Sequence, residues 1–286
     1  MHMDRPAVKP RWPDDVTLLV KTVYRPASLN RLIESVLDRW DHPKIVVADD
    51  GDTSESEPHH RYELIRLPFD VGCSAGRNAL ADHCTTPLAL LTDDDFVFED
   101  RTDVRLFVDV YRRTGLDVLG AAVQSPVGYW TAGGLIRVND RTLRKLQMSY
   151  GSIYVTIRGH TCRIQIVDYV NIFFLASSRL LRAHRWDVRL KTSEHNDYFL
   201  RIRHHLKIGT TNDVVVGHLH ENNPRYDALR EGRRDHYRNE FLQFHGLQRT
   251  VKAATWMQGQ MALQYLPEPR DVPRMDDIAL LPTVNP

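Results

Sequence analysis

Short apolar runs that end in polar or acidic residues alternate with segments of helical periodicity over residues 16–124. The runs are VTLLVKT (16–22), KIVVADDGD (44–52), YELIRLP (62–68), PLALLTDDD (87–95) and DVLGAAVQ (117–124). Between them SLNRLIESVLDRW (28–40), SAGRNALADHC (74–84) and DVRLFVDVYRRT (103–114) space their apolar residues for a helix, with Ser28 predicted to cap the first. Strands this apolar, alternating with helices, predict an α/β fold whose mostly parallel sheet is covered on both faces. Ligands in such sheets bind outside the carboxyl ends of the strands. Asp49, Asp50, Asp93, Asp94 and Asp95 all fall at those ends, so they are expected to line one crevice.

Three adjacent carboxylates repel one another, and desolvating them costs several kcal/mol unless a positive group is present. Either Asp93–Asp95 sit in water at a turn, or they hold a hard divalent cation such as Mg²⁺ or Mn²⁺. DVGCSAGRN (70–78) opens a helix with two glycines and places Arg77 in its first turn. Backbone N–H groups and a guanidinium there suit a phosphate or a nucleotide; the plainer alternative is a glycine-capped turn with a surface arginine. The spacing matches neither the dinucleotide-binding nor the P-loop pattern.

In TSEHNDYFLRIRHH (192–205), Glu194, His195 and Asp197 gather at a predicted helix start. A carboxylate facing the crevice can act there as a general base, while N-terminal capping on a solvated face accounts for at least one of the acids. His218 and His220 follow the apolar run DVVV and share a strand face. Either completes a metal site or is an ordinary hydrogen-bonded side chain. His59, His60, His204 and His205 have no such setting.

The second half reads differently. GYWTAGGLIRV and the stretch 154–176 are rich in β-branched and aromatic residues and predict antiparallel strands. Helices are predicted at 177–184, 195–206 and within 225–245, a strand at 213–219, and a C-terminal helix with a proline-rich tail at 249–286. No internal repeat or low-complexity linker is visible.

A formal net charge of +1 supplies no global attraction to nucleic acid or an anionic membrane, and no basic patch interleaved with aromatics stands out. The three cysteines lack disulfide or zinc-ribbon spacing, which fits a reducing cytoplasm. No apolar run reaches the ~18–20 residues of a membrane span, and the first fifteen residues carry no apolar signal core. Neither H-E-x-x-H nor G-x-S-x-G occurs.

Taken in order, VTLLVKTVYRP, VVADDGD, LPFDVGCSAGRN, TTPLALLTDDDFVFEDRT, VDVYRRTGLDVLGAAV, VNIFFLASSRLL and DVVVGH resemble the GT-A glycosyltransferases. The similarity is greatest to the β-1,4-N-acetylgalactosaminyltransferases of the GM2/GD2 synthase type and their bacterial relatives. The resemblance implies an N-terminal extension at 1–15 and a glycosyltransferase domain at 16–248. Within it, 16–124 would bind the nucleotide sugar and 125–248 would carry acceptor and catalysis, with acceptor loops at 125–165.

It further implies an inverting, Mn²⁺- or Mg²⁺-dependent transfer from a UDP-sugar, UDP-GalNAc or UDP-GlcNAc, to a glycan or small-molecule acceptor. Asp93-Asp94-Asp95 match the family's "DxD" element, with Asp95 as metal ligand and Asp93 on the ribose side. Thr22 and Asp50 match the uracil pocket, Arg77 lies near the nucleotide, and His218 matches a late metal-binding histidine. The base falls among Asp197, His195 and Glu194; the ganglioside-type match runs through His195 and Asp197, while Glu194 resembles the glutamate of "GED" motifs. Two other readings stay open. A sugar-1-phosphate nucleotidyltransferase would show a glycine-rich signature after the first strand, which KTVYRPAS lacks. A non-catalytic nucleotide-sugar-binding protein would keep the fold without the base.

Overall fold

The first strand, β1 (Val16–Thr22), is buried along its whole length; Val16, Leu18 and Val20 enter one apolar layer and Leu19 the other. That two-sided burial is what a central strand between helical layers requires. The computed structural model describes residues 9–52, 60–126, 128–130 and 133–252.

Further strands in chain order are β2 (Ile45–Asp49), β3 (Glu63–Arg66), β4 (Leu88–Asp93), β5 (Phe96–Val97), β6 (Val118–Ser125), β7 (Gly128–Trp130) and β8 (Gly133–Asn139). They continue with β9 (Thr142–Leu146), β10 (Gly151–Ile157), β11 (His160–Ile166), β12 (Tyr169–Val170), β13 (Phe173–Ser177), β14 (Ile208–His218) and β15 (Arg249–Lys252). The helices are α1 (Pro26–Arg39), α2 (Gly72–His83), α3 (Val104–Thr114), α4 (Ser178–Ala183), α5 (Glu194–Ile202), α6 (Pro224–Glu231) and α7 (Arg234–Phe244).

Among the described residues the main sheet has eleven strands, with the order β10-β11-β14-β6-β13-β4-β1-β2-β3; β5 pairs β14 and β7 pairs β6. The run β4-β1-β2-β3 is parallel, β6 and β14 are parallel, and β13 lies antiparallel between β4 and β6. The predicted α/β class therefore holds, with a mixed rather than uniformly parallel centre. A second sheet, β12-β8-β9-β15, adds the smaller and mostly antiparallel portion.

Helices α1 and α3 bury Leu29, Leu32, Ile33, Val36, Phe107 and Val108 on one face of the main sheet. Residues Leu80, Leu181, Tyr198, Phe199 and Phe241 of α2, α4, α5 and α7 cover the other. The α3 boundaries follow from local chemistry: Asp103 accepts a hydrogen bond from the Leu106 N–H at 2.9 Å, and Gly115 ends the helix at φ 60°.

Several boundaries differ from the sequence prediction. Arg25, not Ser28, occupies the N-cap of α1; Pro26 starts the helix, and Ser28 is buried inside the first turn, bonded to Glu221. The strand predicted at 213–219 begins at Ile208, because IGTT pairs with β6 before a register shift. The helix predicted within 225–245 is two helices, α6 and α7. Residues 249–252, placed at the start of a C-terminal helix, instead form β15 beside β9. Residues 253–286 lie outside the described residues, as does His59.

No helix among the described residues is long and apolar enough to cross a membrane. Cys73, Cys84 and Cys162 are all unbridged thiols.

Candidate active site

Strand register brings the acidic residues together. Thr22 lies opposite Asp49, and Lys21 lies opposite Asp93, so β1, β2 and β4 end at one level. Asp50, Asp94 and Asp95 follow immediately beyond those ends. Alternation then separates neighbours. Asp50 is held by Lys21 and by the Gly72 N–H at 2.8 Å. Asp49 points elsewhere: its oxygens accept from Arg66 at 2.7 Å and the Gly51 N–H at 2.9 Å. The expectation that Asp49 joins the crevice is corrected by this pairing.

The positive groups demanded by the aspartates are arginines. Arg25, only 5% exposed, bonds both oxygens of Asp94 and reaches Asp95 at 2.7 Å. Thr22 donates to Asp94 at 2.6 Å. Arg77 reaches Asp93 at 3.1 Å and Glu194 at 2.5 Å, and lies 4.8 Å over the Trp186 ring. Arg77 is thus a buried bridge between the aspartate cluster and α5 rather than a surface arginine.

The three carboxylates have separate fates. Burial, reinforced by the charge on Asp95, pushes Asp94 up against the opposing pull of Arg25 and Thr22. Burial also works against ionised Asp95, but hydrogen bonds from His218 and Arg25 outweigh it and hold that carboxyl below its usual range. Burial likewise raises Asp93 against the pull of Arg77. Asp94 is enclosed completely, whereas the Asp93 side chain is 32% exposed.

Asp95 and His218 form the pair best suited to a divalent cation. The Asp95 carboxylate lies 3.4 Å from His218 Nε2, with the β5–β14 pairing fixing both chain segments. An ionised oxygen donor beside an imidazole fits Mn²⁺ or Mg²⁺. His220 lies beyond the end of β14 and is exposed.

Helix α5 begins after Ser193, a non-glycine residue at φ 64°. Glu194 faces Arg77. Asp197, buried, is bonded instead to Arg201 at 2.8 Å and His245 at 2.9 Å. Burial alone would raise its pKa, but those two hydrogen bonds hold it below the ordinary carboxylate value. His195 is half-buried, with Nε2 2.6 Å from the Val170 carbonyl oxygen.

Helices α6 and α7 cover the carboxyl ends of the strands. Asn223 donates to the Tyr24 carbonyl at 2.5 Å, Arg225 pairs with Asp52 at 3.0 Å and stacks 4.1 Å over Tyr24, and Arg25 lies 3.9 Å over Tyr226. Tyr24 itself adopts φ 56°, a left-handed turn that sends Arg25 back over the aspartates. Such strain persists only where the surroundings fix it, and it clusters at functional sites. Beneath the cover lies a cavity of ≈ 40 Å³ bordered by Lys21, Asp50, Lys191, Tyr226, Arg230 and Arg233.

The sequence had singled out the acids but not Lys21, Arg25, Arg230 or Tyr226. Arg25 in VYRPAS sits three residues beyond the end of β1, just before the proline that opens α1, which is the one local signal it offered.

The rat protein named β-1,4 N-acetylgalactosaminyltransferase 1 is 36% identical over 212 residues, covering 71% of this chain and 38% of that protein. The mouse protein named β-1,4 N-acetylgalactosaminyltransferase 2 is 30% identical over 236 residues, covering 80% of this chain and 45% of its own length. The chain therefore spans less than half the length of these relatives. The crystal structure of S. aureus TarS 1–349 has a TM-score of 0.51 at 17% identity, over 71% of this chain and 60% of that one, a likeness of fold alone. That shared architecture is the GT-A arrangement expected from the sequence. The model of the family described as glycosyl transferase family 2 matches residues 17–173, more than half of the sequence, and the chain belongs to that family.

Proposed function

We propose that the chain is a divalent-metal-dependent, inverting glycosyltransferase that moves GalNAc or GlcNAc from its UDP derivative to a hydroxyl of a glycan or small-molecule acceptor. The observation that carries this reading is the Asp95–His218 pair beside the Asp93–Arg77–Glu194 bridge, at the common end of β1, β2 and β4. The names of the relatives favour GalNAc as the donor sugar.

Asp95 and His218 would hold Mn²⁺ or Mg²⁺, which when bound supplies a Lewis acid for the departing diphosphate. Thr22 and Asp50 are assigned to the uracil side and Asp93 to the ribose. Asp94 serves indirectly, by anchoring Thr22 and Arg25. Lys21, Lys191, Arg230 and Arg233 line the cavity and suit phosphate oxygens, although Asp50 pairs with Lys21 and Asp70 with Lys191 and Arg233. The first turn of α5 supplies the general base. A sugar hydroxyl is a weak nucleophile, and a positioned base accepts its proton as the new bond forms.

A thermal-shift series with UDP, UDP-GalNAc and UDP-GlcNAc, each with Mn²⁺ or with EDTA, tests the reading. A ligand at about 100 times its Kd stabilises the fold by roughly 2.7 kcal/mol. The expected result is a uridine-specific rise that EDTA removes; an equal response in EDTA, or none to any uridine nucleotide, overturns the proposal.

A further inference from the structure

We propose a Zn²⁺ site built by His160, Cys162 and Asp213, separate from the Asp95–His218 pair. One ligand atom from each of these three side chains lies within 4.8 Å of the other two. His160 and Cys162 stand two residues apart on β11, so strand alternation puts both on one face. Asp213 comes from β14, the neighbouring strand, which pairs antiparallel with β11 through Ile164, Gln165 and Ile166. Asp213 also lies five residues before His218, about 16 Å along the strand, too far for one ion to serve both.

A local irregularity in β14 aims Asp213. The β6–β14 register shifts between Thr211 and Val215, so Asp213 falls outside that ladder. Such irregularities re-aim side chains and are built features rather than defects. Asp213 turns toward β11: its Oδ2 accepts from the Arg163 N–H at 2.9 Å and the Thr211 hydroxyl at 3.0 Å, while Oδ1 lies 3.0 Å from His160 Nε2. Two cations close by bind other groups, Arg101 the Asn212 carbonyl at 2.8 Å and Arg158 the Asp109 carboxylate at 2.6 Å. Cys162 is fully buried and forms the floor, whereas the His160 and Asp213 side chains are 56% and 22% exposed. The outer side of the cluster is thus open to an arriving ion.

The donor types select the metal. A thiolate, an imidazole and a carboxylate suit Zn²⁺, which takes four ligands in a tetrahedron, with water completing the set. Mg²⁺ prefers oxygen and fits the Asp95 side of the molecule instead. As the Zn–S bond forms, the thiol proton passes to solvent, and the His160–Asp213 contact gives way to two metal bonds. The ion then ties the β10–β11 hairpin, one edge of the main sheet, to the strand that carries His218.

The test titrates Co²⁺, a spectroscopic substitute for Zn²⁺, into the full reduced chain with Mg²⁺ in excess. The wild type should show a near-ultraviolet sulfur-to-Co²⁺ charge-transfer band with the strong visible bands of a tetrahedral ion, and added Zn²⁺ should abolish them. Cys162→Ser should lose the charge-transfer band, while Asp95→Asn should keep it. His160→Ala, at an exposed position, should weaken Co²⁺ binding by more than about 100-fold, beyond the cost of losing a partner that only orients a ligand. Zn²⁺ should also raise the melting temperature of wild type more than that of His160→Ala, a readout that stands if Cys162→Ser does not fold. Absence of a charge-transfer band in the wild type overturns the proposal. A band that survives in Cys162→Ser assigns the thiolate to Cys73 or Cys84, and one lost in Asp95→Asn assigns it to the other site; either result overturns the proposal. Unchanged Co²⁺ affinity in His160→Ala overturns it too, leaving a His–Asp ion pair above a buried thiol.

Discussion

Replacing Arg25 by Met isolates the charge balance on which the site depends. The guanidinium is 5% exposed and contacts Asp94 twice and Asp95 once, so its loss leaves two carboxylates in the interior without their main counter-charge. Breaking a buried ion pair from one side costs about 3–5 kcal/mol. Thr22 still donates to Asp94 and His218 still lies beside Asp95, which puts the expected loss at the lower end, about 3 kcal/mol. At roughly 2–4 °C per kcal/mol for a domain of this size, the melting temperature should fall by about 6–12 °C in EDTA. Calorimetry or urea unfolding of wild type and variant in EDTA measures the loss, and an Mn²⁺ titration measures recovery. A divalent cation no longer has to compete with Arg25 for Asp95, so the variant should gain more from Mn²⁺ than wild type does. A loss below about 1 kcal/mol in EDTA would refute the claim that Arg25 neutralises the cluster. An Mn²⁺ gain no larger than wild type would refute the competition.

Other substitutions probe the neighbouring elements. Asp95→Asn and His218→Ala should each abolish the Mn²⁺-dependent part of the UDP thermal shift, while His220→Ala, exposed beyond β14, should leave it intact. Asp197 has a folded pKa below its unfolded value, so its contribution is complete above about pH 4 and is lost as pH falls through that lower folded value. Asp197→Asn should therefore cost about 1–3 kcal/mol at pH 7, and the gap to wild type in urea unfolding should close as the pH drops below 4. Gly133→Ala should destabilise the second sheet by about 1–3 kcal/mol, because a Cβ there would stand 2.2 Å from the Tyr169 carbonyl oxygen. Unfolding midpoints and limited proteolysis of the β8–β9 region would register it.

The nucleotide-side scaffold was legible because its signals are local. VTLLVKT, IVVAD and LALLTD are apolar on both faces, and their order with α1, α2 and α3 left a parallel sheet as the natural solution. Elements of the second half were less legible. β14 starts well before the predicted 213–219 strand: Thr210 and Thr211, polar residues with no strand signal of their own, pair with β6 and β11, and Asn212 and Asp213 fall in the register shift that follows. The divide between α6 and α7 falls at Gly232-Arg233, where the single glycine is the local mark and no proline reinforces it. Ser28 had the right residue type for a cap, yet Pro26 begins the helix earlier and tertiary contact with Glu221 claims the hydroxyl.

By itself the sequence determined that acids would stand at the carboxyl ends of β2 and β4, because strand length and apolar pattern fix where each strand stops. It also determined that α5 would open with Glu194, His195 and Asp197 together. Only the tertiary structure decided which charges meet. Arg25 reaches Asp94 and Asp95, Arg77 joins Asp93 to Glu194, and Asp197 is bonded to Arg201 and His245. Most of these pairings link residues far apart in the chain, where periodicity carries no information. In a buried site each charge takes whichever counter-charge the packing brings within reach, since desolvation makes an unpaired one too costly.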